Sequence, residues 1–136
     1  MTRSYHHRIH RAGLVDTSVW IDFLVGRPSA KPTQLRLTTL LQEDQVLGHP
    51  SVVGELACGN LRNRSSILGL LQRLPSSKLT SDKEVLALIE GESLFGRGLG
   101  WIDLHLIAAA RLSDSRLWSL DKFLAKEASR IGVRPY

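Results

Sequence analysis

The stretch Gly13-Leu14-Val15-Asp16-Thr17-Ser18-Val19-Trp20 indicates the fold class of this chain. Its first three residues are too few for a helix, and a short apolar run of this kind is typical of a buried parallel strand. Asp16 follows directly, and Thr17 or Ser18 is suited to cap a helix that ends near Gly26. The stretch therefore predicts a strand followed at once by a helix, with an acidic residue at the junction.

The same order of strand and helix recurs along the rest of the chain. Val46-Leu47 and Leu117-Trp118-Ser119 predict two further strands, and Val133 is expected to begin a last one. Helices are predicted over residues 35–43, 66–74, 101–112 and 122–131, after a cap at Ser51, and after the capping box Ser81-Asp82-Lys83-Glu84. This alternation predicts an α/β fold with a central, mainly parallel sheet flanked on both faces by helices.

Length and composition fit one compact domain. The chain has 136 residues, of which 43% are hydrophobic and 23% charged, so it can bury a core without disulfides. Its single cysteine, Cys58, excludes an intrachain disulfide and is expected to be a small core residue of a cytoplasmic protein. No apolar run is long enough to span a bilayer. Trp20, Trp101 and Trp118 are expected to pack in the core.

The positive charge is concentrated at the beginning of the chain. The net charge is +5, and Arg3, Arg8 and Arg11 contribute three of the 18 basic residues without any acid beside them. We therefore expect residues 1–12 to form a disordered basic tail and residues 13–136 to form the folded domain. Such a tail can contact nucleic acid, although its charge alone does not indicate this role.

Four acidic residues stand in apolar sequence. Asp16 and Asp121 each follow a predicted strand, Asp103 lies in the first turn of the most apolar helix, and Glu55 lies within Val52-Val53-Gly54-Glu55-Leu56-Ala57. A carboxylate in such surroundings is costly unless it is paired, capped or bound to a cation. Asp16 and Asp121 can be explained as helix caps, Asp103 by its helix dipole and Glu55 by solvent exposure.

The four acids taken together favour a metal site over four separate explanations. In parallel sheets, ligands bind beyond the carboxyl ends of the strands, where acids placed after strands converge. Mg²⁺ prefers oxygen ligands such as carboxylates, water and phosphate. The hydroxyls of Ser18 and Ser119, beside two of the acids, are suited to orient a metal or a water molecule, or to cap helices. His49 and His105 lack the spacing of a zinc site.

These motifs resemble, in order, those of the VapC toxins of the PIN-domain superfamily. The matching segments are Leu14-Val15-Asp16-Thr17-Ser18-Val19-Trp20-Ile21, Gly54-Glu55-Leu56, Gly98-Leu99-Gly100-Trp101-Ile102-Asp103 and Leu117-Trp118-Ser119-Leu120-Asp121. Ser119 stands where the family often has threonine. The resemblance implies a PIN-like three-layer sandwich, a Mg²⁺ or Mn²⁺ site made by Asp16, Glu55, Asp103 and Asp121, a homodimer, and a VapB-like antitoxin that blocks the cleft. Relatives cut RNA, often at structured sites in tRNA or ribosomal RNA.

The predicted activity is therefore metal-dependent endoribonuclease action by a toxin of a type II toxin–antitoxin pair. Asp16 and Asp103 are expected to bind metal directly, Asp121 directly or through water, and Glu55 to bind a second metal or position the attacking water. Attack by water leaves 5′-phosphate and 3′-hydroxyl ends. Basic residues must flank an acidic cleft that binds RNA, and the candidates are Arg62, Arg64 and Arg97.

Two other classes of function remain open at this point. The first is a non-catalytic PIN-like regulator that binds RNA or a protein partner while its acids serve as caps. The second is a phosphatase or another enzyme that acts at the ends of parallel strands. Against a phosphoaspartate hydrolase, Asp16-Thr17-Ser18 lacks the second acid two residues after the first. A response-regulator receiver is disfavoured because it would need paired acids at the first strand.

Overall fold

A computed structural model of the chain describes residues 12–136. The strands are β1 (Gly13–Val15), β2 (Val46–Leu47) and β3 (Arg116–Trp118), and a short 3₁₀ turn covers Pro28–Ala30. The helices are α1 (Thr17–Val25), α2 (Lys31–Gln42), α3 (Pro50–Ala57), α4 (Arg64–Arg73), α5 (Asp82–Gly91), α6 (Trp101–Ser113) and α7 (Lys122–Arg130). Of the predicted basic tail, only Ala12 lies among the described residues, and it is buried. The division into tail and domain stays a prediction.

The three strands form one parallel sheet in the order β2-β1-β3. Gly13 pairs with Val46 on one side of β1 and with Arg116 on the other, and Val15 pairs with Trp118. Because all three strands run the same way, the residues that follow them emerge at one edge of the sheet. This parallel sheet with its helices confirms the predicted PIN-like α/β sandwich.

The core is built by the strands and by α6. Leu14 of β1 and Leu106 and Ile107 of α6 have no measurable exposure. A smaller apolar cluster, which includes Val85 and Leu104, joins α5 to α6. The nearly continuous apolar sequence of α6 is therefore explained by burial against two sets of neighbours.

Two helix caps differ from those predicted. Asp16 occupies the N-cap position of α1 with an extended backbone but without a side-chain capping hydrogen bond, so Thr17 and Ser18 lie inside the helix. For α3 the cap is His49, because its Nδ1 accepts a 3.0 Å hydrogen bond from the Ser51 N–H. Pro50 at the first helical position has no N–H to satisfy, which favours a helix beginning there.

Three further predictions from the sequence are wrong. Within the described residues, Val133 begins no strand; it is buried, and the next residue, Arg134, accepts one hydrogen bond from the Leu117 N–H. Cys58 is exposed at the end of α3. Trp101 is 44% exposed because it opens α6 and packs its ring against His105 at the surface. By contrast, Trp20 and Trp118 are buried as predicted.

Tyr136 covers one end of β1. Its ring lies over Gly13, and its hydroxyl donates a hydrogen bond to the Gln45 carbonyl. The Arg36 guanidinium lies 5.0 Å from the centre of the Trp118 ring and 5.4 Å from that of Tyr136. Burial raises the pKa of the Tyr136 hydroxyl to about 12, so it stays protonated as a donor. Among the described residues, no helix is long and apolar enough to cross a membrane.

Candidate active site

Asp16 is the buried acid of the site. It follows β1, its backbone N–H donates to the Trp118 carbonyl of β3 at 2.9 Å, and only 6% of the residue is exposed. Its Oδ2 accepts hydrogen bonds from the hydroxyls of Ser18 and Ser119, each 2.8 Å long. The side chain forms no bond to the N–H groups of α1, so capping does not explain this carboxylate.

The hydroxyls of Ser18 and Ser119 each accept one hydrogen bond and donate another. Ser18 Oγ accepts from the Leu120 N–H and Ser119 Oγ accepts from the Asp121 N–H, both at 3.0 Å. Each hydroxyl thus accepts a hydrogen bond from a backbone N–H and donates one to the Asp16 carboxylate. These bonds tie the turn after β1 to the turn after β3 and hold one edge of the Asp16 carboxylate in place.

Asp103 lies in the first turn of α6 and is partly buried. Its Oδ2 accepts a 3.0 Å hydrogen bond from the Gly100 N–H. Burial raises the pKa of the Asp103 carboxyl, as do the negative charges of Asp16 and Asp121, while the Gly100 N–H acts in the opposite direction. The carboxylate charges of Asp16 and Asp121 therefore act on Asp103, which is expected if the three acids face one cleft.

Asp121 follows β3 and caps α7. Its Oδ1 accepts from the N–H groups of Phe123 at 3.0 Å and Leu124 at 3.2 Å. The capping explanation from the sequence is therefore correct for this residue, but both bonds use the same carboxylate oxygen. Since the residue is exposed, the carboxylate also faces solvent.

Glu55 lies on the exposed side of α3 and reaches the site through Thr17. The Thr17 hydroxyl donates a 2.7 Å hydrogen bond to Glu55 Oε1. Thr17 is itself buried and directly follows Asp16 in the chain. The local sequence predicts a capping role for Thr17, and nothing in it indicates a bond to a residue 38 positions away.

The chemistry of these side chains fits a hard divalent cation. Within residues 12–136, none of the four acids pairs with a lysine or an arginine, so no cation of this part of the chain balances their negative charge. All four offer oxygen ligands, which Mg²⁺ and Mn²⁺ prefer. In the described part of the chain, no three His, Cys, Asp or Glu side chains already stand as a group that could hold an ion. Binding of one cation by three of these acids would therefore require their side chains to move closer together.

The three predicted arginines have different surroundings. Arg64 donates to the carbonyls of Gly59 and Ala57 and so caps the end of α3. Arg97 donates to the Ser93 carbonyl at 2.9 Å and lies 3.4 Å from the buried carboxylate of Glu127. Arg62 lies in the α3–α4 loop, and its side chain forms no hydrogen bond or ion pair with the described residues. Of the three, Arg62 is thus the one available to a ligand.

A cleft of about 350 Å³ adjoins the acidic site. Ser18 and Asp121 belong to both the site and the cleft, and the wall comes from α1, from the loop after it and from the turn before α7. These further lining residues are Ile21, Asp22, Val25, Arg27 and Leu120. The sequence did not single out Arg27 because it stands alone in a Gly-Arg-Pro turn, away from the acid motifs.

Comparison with known proteins identifies the family of this chain. A family model described as PIN domain matches residues 13–128. The chain belongs to the PIN-domain family. Two similar proteins are both named Ribonuclease VapC32, from Mycobacterium tuberculosis strains CDC 1551 / Oshkosh and ATCC 25618 / H37Rv. Each is 39% identical over 121 residues, which cover 88% of this chain and 93% of the relative. The predicted resemblance to VapC-type PIN domains is confirmed.

Proposed function

We propose that this PIN domain is a divalent-metal-dependent endoribonuclease and the toxin of a type II toxin–antitoxin pair. The observation that carries the proposal is the placement of Asp16, Asp103 and Asp121 at the carboxyl end of a parallel sheet, where the charges of two of them act on the third. Membership of the PIN-domain family and 39% identity to proteins named ribonucleases support the reaction class.

Asp16, Asp103 and Asp121 would hold the ion, and Glu55 would hold a second ion or position the attacking water. When bound, Mg²⁺ or Mn²⁺ supplies a water of lowered pKa and neutralises charge on the phosphate. Each of the three aspartates is already oriented through one oxygen: Asp16 by two hydroxyls, the other two by backbone N–H groups. This orientation lowers the cost of bringing them together around the ion.

Hydrolysis by water is expected to leave a 3′-hydroxyl on one RNA fragment and a 5′-phosphate on the other. The four carboxylates repel the RNA backbone, so binding needs positive charge near the cleft. Arg62, exposed and free of partners within residues 12–136, is suited to this role. Arg64 and Arg97 would serve RNA only by giving up the contacts they already make.

The biological setting follows from the VapC resemblance. We propose a homodimer, a VapB-like antitoxin that covers the acidic cleft, and a structured tRNA or ribosomal RNA as substrate in the cytoplasm. In the same proposal, residues 1–12 are a basic tail outside the nuclease domain of residues 13–136.

Cleavage of purified cellular RNA tests the activity. The antitoxin-free protein is incubated with Mg²⁺, with Mn²⁺ or with chelator, beside Asp16→Asn and the control Asp44→Asn. Asp44 is an exposed acid before β2, at the opposite end of the sheet. We expect discrete fragments with 5′-phosphate ends that require metal, persist in the control and vanish in Asp16→Asn.

Two results would contradict the proposal. Fragments ending in 2′,3′-cyclic phosphate would show attack by the RNA's own 2′-hydroxyl. RNA binding without metal-dependent cleavage, by folded wild-type protein, would favour a non-catalytic regulator.

A further inference from the structure

The cleft beside the acidic site joins an apolar wall to a free positive charge. Ile21, Val25 and Leu120 line it and are 49%, 56% and 44% exposed. Exposed apolar side chains that line one cleft mark a binding site more often than isolated ones do. The volume, about 350 Å³, lies near the lower end of the range for sites that hold small organic ligands.

Arg27 stands on the rim of this cleft. The residue is exposed, and its guanidinium forms no hydrogen bond or ion pair with residues 12–136. Of the three other arginines considered for the site, Arg64 and Arg97 are held by neighbours. A free guanidinium beside an acidic site is suited to bind phosphate through two parallel hydrogen bonds.

Ser18 and Asp121 belong both to the acidic site and to this cleft. A polymer that places one phosphate at the carboxylates can therefore reach the cleft with its next unit. In RNA that unit carries an apolar base face, which packs on aliphatic or aromatic side chains, and a charged phosphate. The wall and Arg27 match these two parts.

Asp22 adds a polar group to the same wall. Its carboxylate is partly exposed and has no partner among the described residues. When ionised, it can only accept hydrogen bonds, so it selects for a base edge that presents N–H donors. This distinguishes the wall from a purely apolar surface.

We infer that this cleft is a nucleotide subsite: it binds the RNA nucleotide next to the scissile phosphate, with Ile21, Val25 and Leu120 against the base and Arg27 on a phosphate. The inference rests on the proposed ribonuclease function. Arg27 and Asp22 are then residues that determine substrate binding and base preference, and neither is part of the metal site.

The test uses a random-sequence RNA pool and sequencing of the cut ends. The variants are Arg27→Ala, Asp22→Asn and the control Arg73→Ala, which removes an exposed arginine of α4 that lines no part of the cleft. We expect Arg27→Ala to raise KM about tenfold with kcat and end chemistry retained. Asp22→Asn should change the preferred base at one position adjoining the cut. Arg73→Ala should match the wild type.

A binding measurement separates this inference from the proposed function. In an Asp16→Asn background the uncut pool is titrated at several salt concentrations, and Arg27→Ala should lower the slope of log K against log salt by about one. If wild-type protein does not cut RNA, the ribonuclease proposal fails while this slope still decides the role of Arg27. The cleft is not a nucleotide subsite if Arg27→Ala and Asp22→Asn match Arg73→Ala in KM, salt slope and base preference. That result would favour a segment of a protein partner as the occupant of the cleft.

Discussion

The Ser119 hydroxyl donates a 2.8 Å hydrogen bond to Oδ2 of Asp16, a residue 103 positions earlier in the chain. The same oxygen accepts from Ser18, so two strand-end turns position one carboxylate. A residue that acts through another in this way is expected to affect metal affinity before it affects the fold.

Ser119→Ala should therefore lower metal affinity or cleavage by about 10- to 100-fold, because both the bond to Asp16 and the acceptor for the Asp121 N–H are lost. Ser119→Thr keeps the hydroxyl and should retain most of the activity. The measurement is cleavage rate against Mg²⁺ concentration for the three proteins. Equal metal dependence of the alanine variant and the wild type would show that Ser119 does not position Asp16.

Asp103→Asn should stabilise the metal-free protein while abolishing cleavage. Burial and the charges of Asp16 and Asp121 raise the pKa of Asp103, so its ionised form is disfavoured in the folded state. The amide oxygen of asparagine can still accept from the Gly100 N–H. Because Asp103 is partly exposed, solvent screening limits the gain to about 1 kcal/mol or less.

Thermal unfolding in chelator measures the change in stability, unfolding in Mg²⁺ measures metal binding, and the RNA assay measures the loss of cleavage. Mg²⁺ should raise the Tm of the wild type and of Asp44→Asn but not that of Asp103→Asn. A lower Tm for Asp103→Asn in chelator would mean that the carboxylate stabilises the fold instead of serving a ligand.

Gly13→Ala should destabilise the protein by about 2 kcal/mol, the size of a typical overpacking cost. A methyl group on Gly13 would overlap the ring of Tyr136, which is held by its bond to the Gln45 carbonyl. Urea unfolding compares this variant with Gly54→Ala, whose added methyl group meets nothing within 4 Å. The Gly54 change lies inside α3 and should be neutral or stabilising.

The double variant Gly13→Ala/Tyr136→Ala tests whether the ring causes that loss. With the ring removed, the added methyl group has space, so the two changes should cost less together than the sum of each alone. Strict additivity would assign the effect of Gly13→Ala to the β1 backbone instead.

His49 should make stability depend on pH. Burial, and to a smaller extent the nearby His105 charge, lower the pKa of His49 from 6.5 to about 4. Below pH 6.5, His49 binds a proton in the unfolded chain but stays neutral in the folded chain. The free energy of unfolding therefore falls as the pH drops from 6.5 towards 4. Protonation of Nδ1 also removes the acceptor for the Ser51 N–H.

His49→Asn is the matched variant, because asparagine can cap α3 and does not titrate. Urea unfolding at pH 7 and pH 5 should show a smaller loss of stability for this variant than for the wild type. If the two proteins lose the same free energy, His49 is not the group that links folding to pH over this range.

The sequence predicted the sheet well because its strands are buried on both faces. Leu14-Val15 and Leu117-Trp118 are apolar runs ended by polar residues, and such runs identify the strand ends where Asp16 and Asp121 stand. The acid at position 121 was also predicted as a cap, which is a local property. Metal ligation by the four acids stays a prediction.

What the sequence could not indicate depends on contacts between distant segments. The partner of Glu55 is Thr17, and local pattern offered Thr17 only a capping role. The sequence suggests Arg97 as a candidate for contact with RNA, but tertiary packing places it beside buried Glu127. The cap of α3 was missed because a serine is the usual choice, whereas an imidazole nitrogen accepts the same bond.

The bonds from Ser119 and Asp121 also set the order in which the site is completed during synthesis. A nascent chain that has emerged only through α6 carries Asp16, Glu55 and Asp103, but neither the hydroxyl that fixes Asp16 nor the fourth carboxylate. Because β3 pairs with the central strand β1, both the sheet and the site lack a part until the last of the three strands is translated. In the proposed function, the acidic site therefore becomes complete only after β3 and the turn after it are translated.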